Sequence, residues 1–509
     1  MPQRLRPDRR DEDGYILPMF ALVLVVLLGF AALSVDVGSW YARASETQRA
    51  ADAAALAGVV WMPDFTKART AAIAAATRNG FTHGVDDATV SVTQVPGDTR
   101  RLQVAIADTQ APQFFSQVVL DDVAVGRSAT AEYVLPVPMG SPKNTLGTGS
   151  NVFGGATENF WLAASGWCAA VENGDKRLPR HDRTWNGSSW TCPSFTGTNN
   201  PDYDADGYLY ALSLAQAPGQ QLTIQLYDAA YRQSGSNADQ TYGSGTRNVT
   251  TIYTVYDTDD TPFDNSDNPV LHTRTVTTGD SSFPVNAWAN LYTISNPEAG
   301  QYFLRVRTLA NQASSQGSNG FGIRAKLGAG STFNVCTTIA GNPGFLASCP
   351  QVHGVEEMSI YANASSTTAD FFLAQVDSVH AGKKLKIDLF DPGEGATSIQ
   401  ILDPNGNTFP FTWATPCSPP TAPTGGCSGS SDGSNRLMVN NNGTQPYSDL
   451  SSQSKYNRRQ MTLTLNLPND YSVFSGKTWW KIRYVAGSSV TDRTTWAATI
   501  IGDPVHLVK

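Results

Sequence analysis

Three alternating aspartates in the segment PDYDADGY are the most promising residues for metal chemistry in this sequence. Asp202, Asp204 and Asp206 precede Gly207, which is the pattern of the first half of a calcium loop, where carboxylates converge and glycine permits a sharp turn. Ser213 stands where an EF-hand has its bidentate glutamate, so that motif is excluded. The segment predicts either solvated turn residues or one structural calcium ion, and we expect no other cofactor.

The remaining polar residues show no catalytic spacing. Six histidines occur without HExxH or HxH, and neither GxSxG nor a P-loop motif is present. A Ser-His-Asp set assembles in space and leaves no mark in sequence, so a hydrolase stays open as the least favoured interpretation. A net charge of −8 provides no basic face for nucleic acid. We therefore expect a protein that is not an enzyme and does not bind nucleic acid.

The cysteines indicate an oxidising compartment. All six follow the apolar N-terminal segment, and none forms a CxxC pair, so disulfides are a better explanation than a zinc ribbon. Short separations favour three local bonds, each worth ~2–4 kcal/mol. The predicted pairs are Cys168 with Cys192, Cys336 with Cys349, and Cys417 with Cys427.

One segment is able to cross a membrane. Residues 15–35 carry no charge, and at ~1.5 Å per residue their helix covers the ~30 Å of a bilayer core. Four arginines precede the run, whereas only Arg43 and Arg49 follow it closely, which places residues 1–14 in the cytoplasm and the bulk outside the cell membrane. The alternative is a cleaved signal peptide at Ala32-Leu33-Ser34, although the run is longer than a usual signal core.

The helix predicted beyond the membrane has a face of small residues. Residues 36–61 read as a helix continuous with the span. A face without side-chain bulk lets another helix backbone approach closely, and the alternative is that alanine serves helix propensity alone. The predicted packing motif consists of Gln48, Ala50, Ala51, Asp52, Ala54, Ala55 and Gly58.

The pattern then changes from helical to alternating. A second helix is predicted over residues 66–79, a hairpin over 88–95 and 101–108, and a further strand over 123–134. These segments predict a pilin-like α+β stalk domain, residues 36–135. A stretch rich in proline, glycine and serine, residues 136–151, reads as a linker.

The distal sequence repeats itself. GQQLTIQLYD (219–228) aligns without gaps on GKKLKIDLFD (382–391), and GQYFLRVRT (300–308) matches GKTWWKIRY (476–484). Two tandem β-sandwich domains of jelly-roll type, residues 152–330 and 331–509, are the simplest explanation. Their motif order resembles that of bacterial pre-peptidase C-terminal-like modules, which are accessory domains.

Residues 13–58 resemble the N-terminal region of TadE/TadG-like proteins of the tight-adherence (Flp) pilus system. The resemblance lies in Gly14 before the span, the VDVG exit, an aromatic residue with arginine, and Gln48 followed by AADAAALAG. It implies a membrane-anchored component of the pilus machinery. Met19 stands where pilins have a glutamate, so prepilin-peptidase cleavage is not expected, and without a DxSxS motif the metal-dependent adhesion of some TadG-like proteins is not implied.

Together these features predict a single-pass membrane protein with a stalk and two β-sandwiches. We expect a non-catalytic role in pilus assembly or surface attachment, in which the small-residue helix packs against other pilus-machinery membrane proteins or pilin-like subunits. The alternative is an exported adhesin or carbohydrate-binding protein that recognises a surface polysaccharide and uses the TadG-like part only as an anchor.

Overall fold

The structure is a computed structural model that describes most of the chain. The described residues are 13–62, 65–95, 101–109, 111–118, 122–133, 137–147, 152–153, 158–167, 169, 174–179, 184–185, 190–191, 200–233, 239–241, 248–258, 268–309, 317–340, 342, 344–393, 395–416, 427–439, 456, 458–501 and 505–508.

Two α-helices precede a long series of strands in the part of the chain that the structure describes. The helices are α1 (Asp13–Val59) and α2 (Phe65–Arg78). The strands in chain order are β1 (Ala88–Gln94), β2 (Arg101–Asp108), β3 (Val125–Tyr133), β4 (Thr145–Leu146), β5 (Val152–Phe153), β6 (Glu158–Ser165), β7 (Thr184–Trp185), β8 (Trp190–Thr191), β9 (Tyr208–Leu214), β10 (Leu222–Tyr227), β11 (Gln240–Thr241), β12 (Thr250–Tyr256), β13 (Val270–Thr277), β14 (Trp288–Ile294), β15 (Gly300–Thr308), β16 (Gly317–Leu327), β17 (Gln351–Gly354), β18 (Glu357–Ala364), β19 (Thr368–Gln375), β20 (Lys384–Phe390), β21 (Ser398–Leu402), β22 (Thr408–Phe409), β23 (Thr412–Ala414), β24 (Ser428–Ser430), β25 (Arg436–Met438), β26 (Gln460–Asn466), β27 (Trp479–Val485), β28 (Val490–Ile501) and β29 (Val505–Val508). The chain is thus an N-terminal apolar helix followed by a large region of several β-sheets.

The described residues divide into two compact units. The N-terminal unit contains residues 13–133 together with 505–508, and the β-body contains residues 137–258 and 268–501. The first unit is therefore built from both ends of the described chain, with the β-body between them in sequence.

The N-terminal unit packs its helices on a four-stranded antiparallel sheet of order β1-β2-β3-β29. In β1 the side chains alternate between buried and exposed, as expected for a sheet with one covered face. The strand β29, which the sequence placed in the last sandwich domain, pairs with β3 through Val505 opposite Tyr133 and Val508 opposite Thr130. Since the end of β3 faces the start of β29, the β-body is inserted where a hairpin turn would join these strands.

The β-body is built on one large sheet and two smaller sheets. The large sheet has the order β14-β10-β16-β6-β18-β28-β20-β26-β23-β24, and β4 and β11 also pair with β16. The smaller sheets have the orders β13-β12-β15-β9-β17 and β22-β21-β27-β19-β5, with β25 beside β21, while β7 and β8 form a separate pair. A single hydrophobic core contains residues of all three sheets.

The two sides of the large sheet repeat one strand order. Outward from the middle, β6-β16-β10-β14 corresponds to β18-β28-β20-β26, and in the smaller sheets β9-β15-β12-β13 corresponds to β19-β27-β21-β22. The aligned residues Leu222 and Leu385 lie on the corresponding strands β10 and β20, and both are fully buried.

The two sides share one large sheet, which differs from the prediction of two tandem β-sandwich domains, residues 152–330 and 331–509. Strands β6 and β18 pair antiparallel, with Leu162 opposite Ile360, so the large sheet runs through both sides. Two short strands are also exchanged, because β17 pairs with β9 whereas β5 pairs with β19. Strand pairing depends on residues that are far apart in sequence, whereas the patterns that suggested two modules are local.

The predicted linker, residues 136–151, is part of the β-body over its described residues 137–147. Met139 and Leu146 are fully buried in the core, and the Asn144 side chain donates to the Ala325 carbonyl at 3.1 Å. Proline and glycine set the turns of this segment but do not make it a free tether, because its apolar side chains contribute to the core.

Candidate functional site

The helix α1 combines two environments along its length. Its first part, from Leu17 to Val35, exposes large apolar side chains almost everywhere, and it is the one described helix that is long and apolar enough to cross a membrane. Its last part is buried against α2 and the sheet. A single helix without a break therefore joins a candidate membrane span to a folded unit.

Asp36 marks the boundary between these two parts. Its side chain is fully buried, and its carboxylate accepts backbone hydrogen bonds from Phe114 at 2.8 Å, Phe115 at 2.9 Å and Ser116. Burial alone raises the pKa of Asp36, but the hydrogen bonds from Ser116, Phe114 and Phe115 outweigh it and lower the pKa to about 2. The charged carboxylate therefore fixes the loop before the 3-10 turn Ser116–Val118 onto α1.

The loop held by Asp36 exposes two large apolar side chains. Phe114 is 58% exposed and Phe115 is 54% exposed. A second contact from α1 holds the same loop, because the Ser39 hydroxyl lies 2.9 Å from the carbonyl of Pro112. The two rings are thus presented by a loop with four hydrogen bonds to α1 just after its exposed apolar part.

The small-residue face packs within its own unit, which corrects the expectation that it contacts partner helices. Ala50, Ala51, Ala54 and Ala55 are buried in the same core as α2 and the sheet. At Gly58 an added Cβ would lie 2.5 Å from Leu102 Cδ2, 2.8 Å from the Ala68 carbonyl oxygen and 2.9 Å from Ala72 Cβ. The absence of side-chain bulk lets α2 approach α1 closely, and α2 comes from the same chain.

Two polar side chains of α1, Gln48 of the motif and Arg43 before it, attach the helix to the rest of its unit. Gln48 donates to Asp52 at 2.8 Å and to the Ser128 carbonyl at 3.3 Å. One turn earlier, Arg43 binds the buried carboxylate of Asp108 at 2.6 Å. The bond from Gln48 to Ser128 joins α1 to β3, and the bond from Arg43 to Asp108 joins it to β2, so Gln48 has a structural role in this unit.

The predicted calcium loop is engaged by arginines. Asp204 pairs with Arg177 at 2.9 Å, and Asp206 lies 3.8 Å from Arg305. The backbone N–H of Asp202 donates a hydrogen bond to Oδ1 of Asn200 at 3.1 Å. Within the described residues, no group of three carboxylate, histidine or cysteine side chains is arranged to hold a metal ion.

A serine and a histidine meet in the β-body where sequence spacing gave no signal. Ser213 on β9 lies 2.8 Å from Nε2 of His353 on the exchanged strand β17, and Gln301 donates to the same hydroxyl at 3.2 Å. His353 Nδ1 faces the carbonyl of Gly354 at 3.1 Å. Burial lowers the pKa of His353 to about 4, although the Gly354 carbonyl opposes this shift. The neutral imidazole is therefore suited to fastening β17 to β9.

One predicted disulfide is confirmed. Cys336 and Cys349 are bonded, and Cys427 is also disulfide-bonded. The other three cysteines, Cys168, Cys192 and Cys417, lie outside the described residues. No free cysteine occurs among the residues that the structure describes.

Sequence reasoning missed the contact at the end of the exposed apolar part of α1. Asp36 is the first charge after the apolar run, and Phe114-Phe115 stand in an uncharged segment, residues 109–120. Both signals were present, but nothing local connects two segments that are 78 residues apart.

The helix α1 runs without a break from an exposed apolar part to a part that packs against α2 and the sheet. This arrangement defines a protein with one candidate N-terminal membrane anchor and an attached folded unit. Residues 14–78 match the family described as "Putative Flp pilus-assembly TadE/G-like". This segment of the chain is therefore a TadE/G-like domain, and the match covers α1 and α2 together. No curated protein matches the chain.

Comparison with solved structures gives only distant likenesses. One is to the crystal structure of tripeptidyl peptidase 2, at 7% identity over 87% of this chain and a TM-score of 0.17. The chain spans 42% of the length of that protein. Another is to the tandem CBM22-1-CBM22-2 domain of Paenibacillus barcinonensis Xyn10C, at 9% identity over 82% of this chain and 89% of that one, with a TM-score of 0.13. At these TM-scores neither likeness bears on the fold or function of this chain.

Proposed function

We propose that this protein is a non-catalytic, membrane-anchored component of tight-adherence (Flp) pilus assembly or surface attachment. The observation that carries the proposal is the TadE/G-like match at residues 14–78, which covers α2 and the helix α1 with its exposed apolar part and its packed part. The partners are other membrane proteins or pilin-like subunits of the pilus machinery. They contact surfaces of the N-terminal unit other than its buried small-residue face.

The proposed topology places residues 1–14 in the cytoplasm and both folded units outside. Arginines cluster before the span, which favours a cytoplasmic N-terminus. The disulfide between Cys336 and Cys349 supports the same orientation independently, since such bonds persist in oxidising compartments. Protease added to intact spheroplasts should degrade the β-body and leave an N-terminal tag intact.

The non-catalytic role is supported by the environment of the serine–histidine pair. A hydrolytic triad needs a carboxylate or amide that orients the imidazole, whereas His353 Nδ1 faces the backbone carbonyl of Gly354. His353 is also 3% exposed, which leaves a substrate little access to it. The pair is better suited to holding the exchanged strand β17.

The β-body belongs to this proposal as a paired module. We infer that its two sides, which repeat one strand order, descend from a duplicated sandwich of jelly-roll type and now share one sheet. Placed between β3 and β29, such a module adds an extracytoplasmic surface without interrupting the core of the N-terminal unit.

Co-purification from piliated cells tests the proposed partners. The full chain carries an affinity tag, membranes are solubilised in mild detergent, and co-purifying proteins are quantified by mass spectrometry. We expect enrichment of pilus-machinery membrane proteins over an untagged strain. The matched control replaces residues 134–504 by a two-residue turn, and it should keep these partners because the TadE/G-like segment is intact. Enrichment of no pilus-machinery protein in either sample would refute the proposed partnership.

A further inference from the structure

We propose that Phe114 and Phe115 form a second contact with the membrane, inserting into the lipid interface beside the exit of α1. The proposal commits to lipid as the occupant of this exposed apolar pair. It rests on the membrane anchoring in the proposed function, because it takes the level of the bilayer from α1.

A hydrogen bond to Asp36 fixes the position of the Phe114–Phe115 loop along the axis of α1. Residues 15–35 are uncharged and reach across ~30 Å of hydrocarbon, so Asp36 lies where the helix leaves the apolar core. The backbone N–H of Phe114 is 2.8 Å from Asp36 Oδ1. The loop backbone therefore lies at the same level as the end of the span.

The chemistry of the loop suits the interface. Residues 109–120 contain no charged side chain, so moving the loop toward lipid desolvates no ion. Phenylalanine is among the residues that bury in the headgroup and acyl boundary, and its ring brings a large apolar area. Two adjacent rings, each more than half exposed, would otherwise remain in contact with water.

Hydrogen bonds and buried neighbouring residues hold the Phe114–Phe115 loop in a fixed position beside α1. The carboxylate of Asp36 is fully buried and is held by three backbone N–H groups. Ala111, three residues before the pair, and Ser116, directly after it, are buried as well. An anchor at a fixed place beside α1 restricts the tilt of the helix, because tilting in one direction lifts the rings from the lipid.

Site-specific photo-cross-linking tests the proposal on the full chain in native membranes. The photoreactive phenylalanine analogue p-benzoylphenylalanine replaces Phe114 or Phe115 in turn, and lipid adducts are detected by mass spectrometry of the surrounding peptide. Phe30 is the matched positive control, since it is 66% exposed and lies inside the span. Trp61 is the negative control, since it is 42% exposed and follows the end of α1 at Val59, which lies ~35 Å along the helix from Asp36.

We expect lipid adducts at positions 30, 114 and 115 and none at position 61. Asp36→Asn should reduce the adducts at 114 and 115, because the loop is then held less firmly, and should leave the adduct at 30 unchanged. Adducts at 30 without adducts at 114 and 115, or protein adducts in their place, would overturn this inference while membrane anchoring stands. No adduct at 30 would instead contradict the anchoring in the proposed function.

Discussion

Replacing Gly58 by alanine tests whether the small-residue face packs inside its own unit. An added Cβ would lie 2.8 Å from the Ala68 carbonyl oxygen and 2.9 Å from Ala72 Cβ, so α2 must move away from α1. Overpacking of this kind costs ~1–3 kcal/mol. Alanine recovers ~1 kcal/mol of helix propensity relative to glycine. The net expectation is a loss of about 1 kcal/mol in the unfolding free energy of the N-terminal unit.

The matched control is Gly38→Ala on the same helix. An added Cβ at Gly38 meets no atom within 4 Å, so only the gain in helix propensity applies. The two variants should therefore differ by the overpacking cost of ~1–3 kcal/mol, which is roughly 5- to 150-fold in an equilibrium constant.

Hydrogen exchange with mass spectrometry, on the full chain in detergent, measures this difference locally. For Gly58→Ala, the slowest amides of α2 and β2 should exchange roughly fivefold faster than in the wild type, as expected for a loss of about 1 kcal/mol. For Gly38→Ala their exchange should be unchanged or slower. Unchanged protection in Gly58→Ala, together with lost binding to pilus partners, would show that the face contacts another protein and that the packing described for it is wrong.

Three further predictions concern the β-body and its insertion. Folding lowers the pKa of His353 from 6.5 to about 4, so between these pH values the unfolded chain binds a proton that the folded protein does not. The unfolding free energy should therefore fall by about 3 kcal/mol between pH 7 and pH 4. Urea denaturation at pH 7 and pH 4 should show this loss in the wild type and in His272→Gln but not in His353→Gln. The same loss of unfolding free energy in all three proteins would contradict the prediction. Replacing Cys336 and Cys349 by alanine should lower the unfolding free energy of the β-body by ~3 kcal/mol in the same assay, because the disulfide restricts the unfolded chain. An unchanged unfolding free energy would contradict this stabilising effect of the disulfide. Replacing residues 134–504 by Asn-Gly should leave the N-terminal unit folded by circular dichroism, because β3 and β29 then form a two-residue hairpin, and a loss of helical signal would contradict the insertion.

Local patterns predicted the N-terminal helices and strands well. The predicted helix 66–79 and strand 101–108 correspond to Phe65–Arg78 and Arg101–Asp108, since capping residues, alternation and turn residues are local signals. The strand β29 was not predicted as part of this sheet. Its four residues, Val505–Val508, carry no indication of which sheet they join, because that choice depends on contacts across hundreds of residues.

The candidate site shows the same limit. A stripe of alanines around Gly58 reads identically whether the helix packed on it belongs to the same chain or to another. Asp36 was visible as the end of the apolar run, but its hydrogen bonds to Phe114 and Phe115 join segments that only the fold brings together. The serine–histidine contact between Ser213 and His353 likewise depends on the exchange of a short strand.

Counting pili on cells that lack this gene tests the central claim most directly. Electron microscopy would compare the deletion strain with the same strain carrying the full chain, and surface attachment would be scored in parallel. A role in pilus assembly predicts few or no pili and poor attachment in the deletion strain, with both restored by the full chain. A deletion strain with the normal number of pili and poor attachment would contradict that role and identify the protein as an anchored adhesin, while normal pili and normal attachment would contradict both.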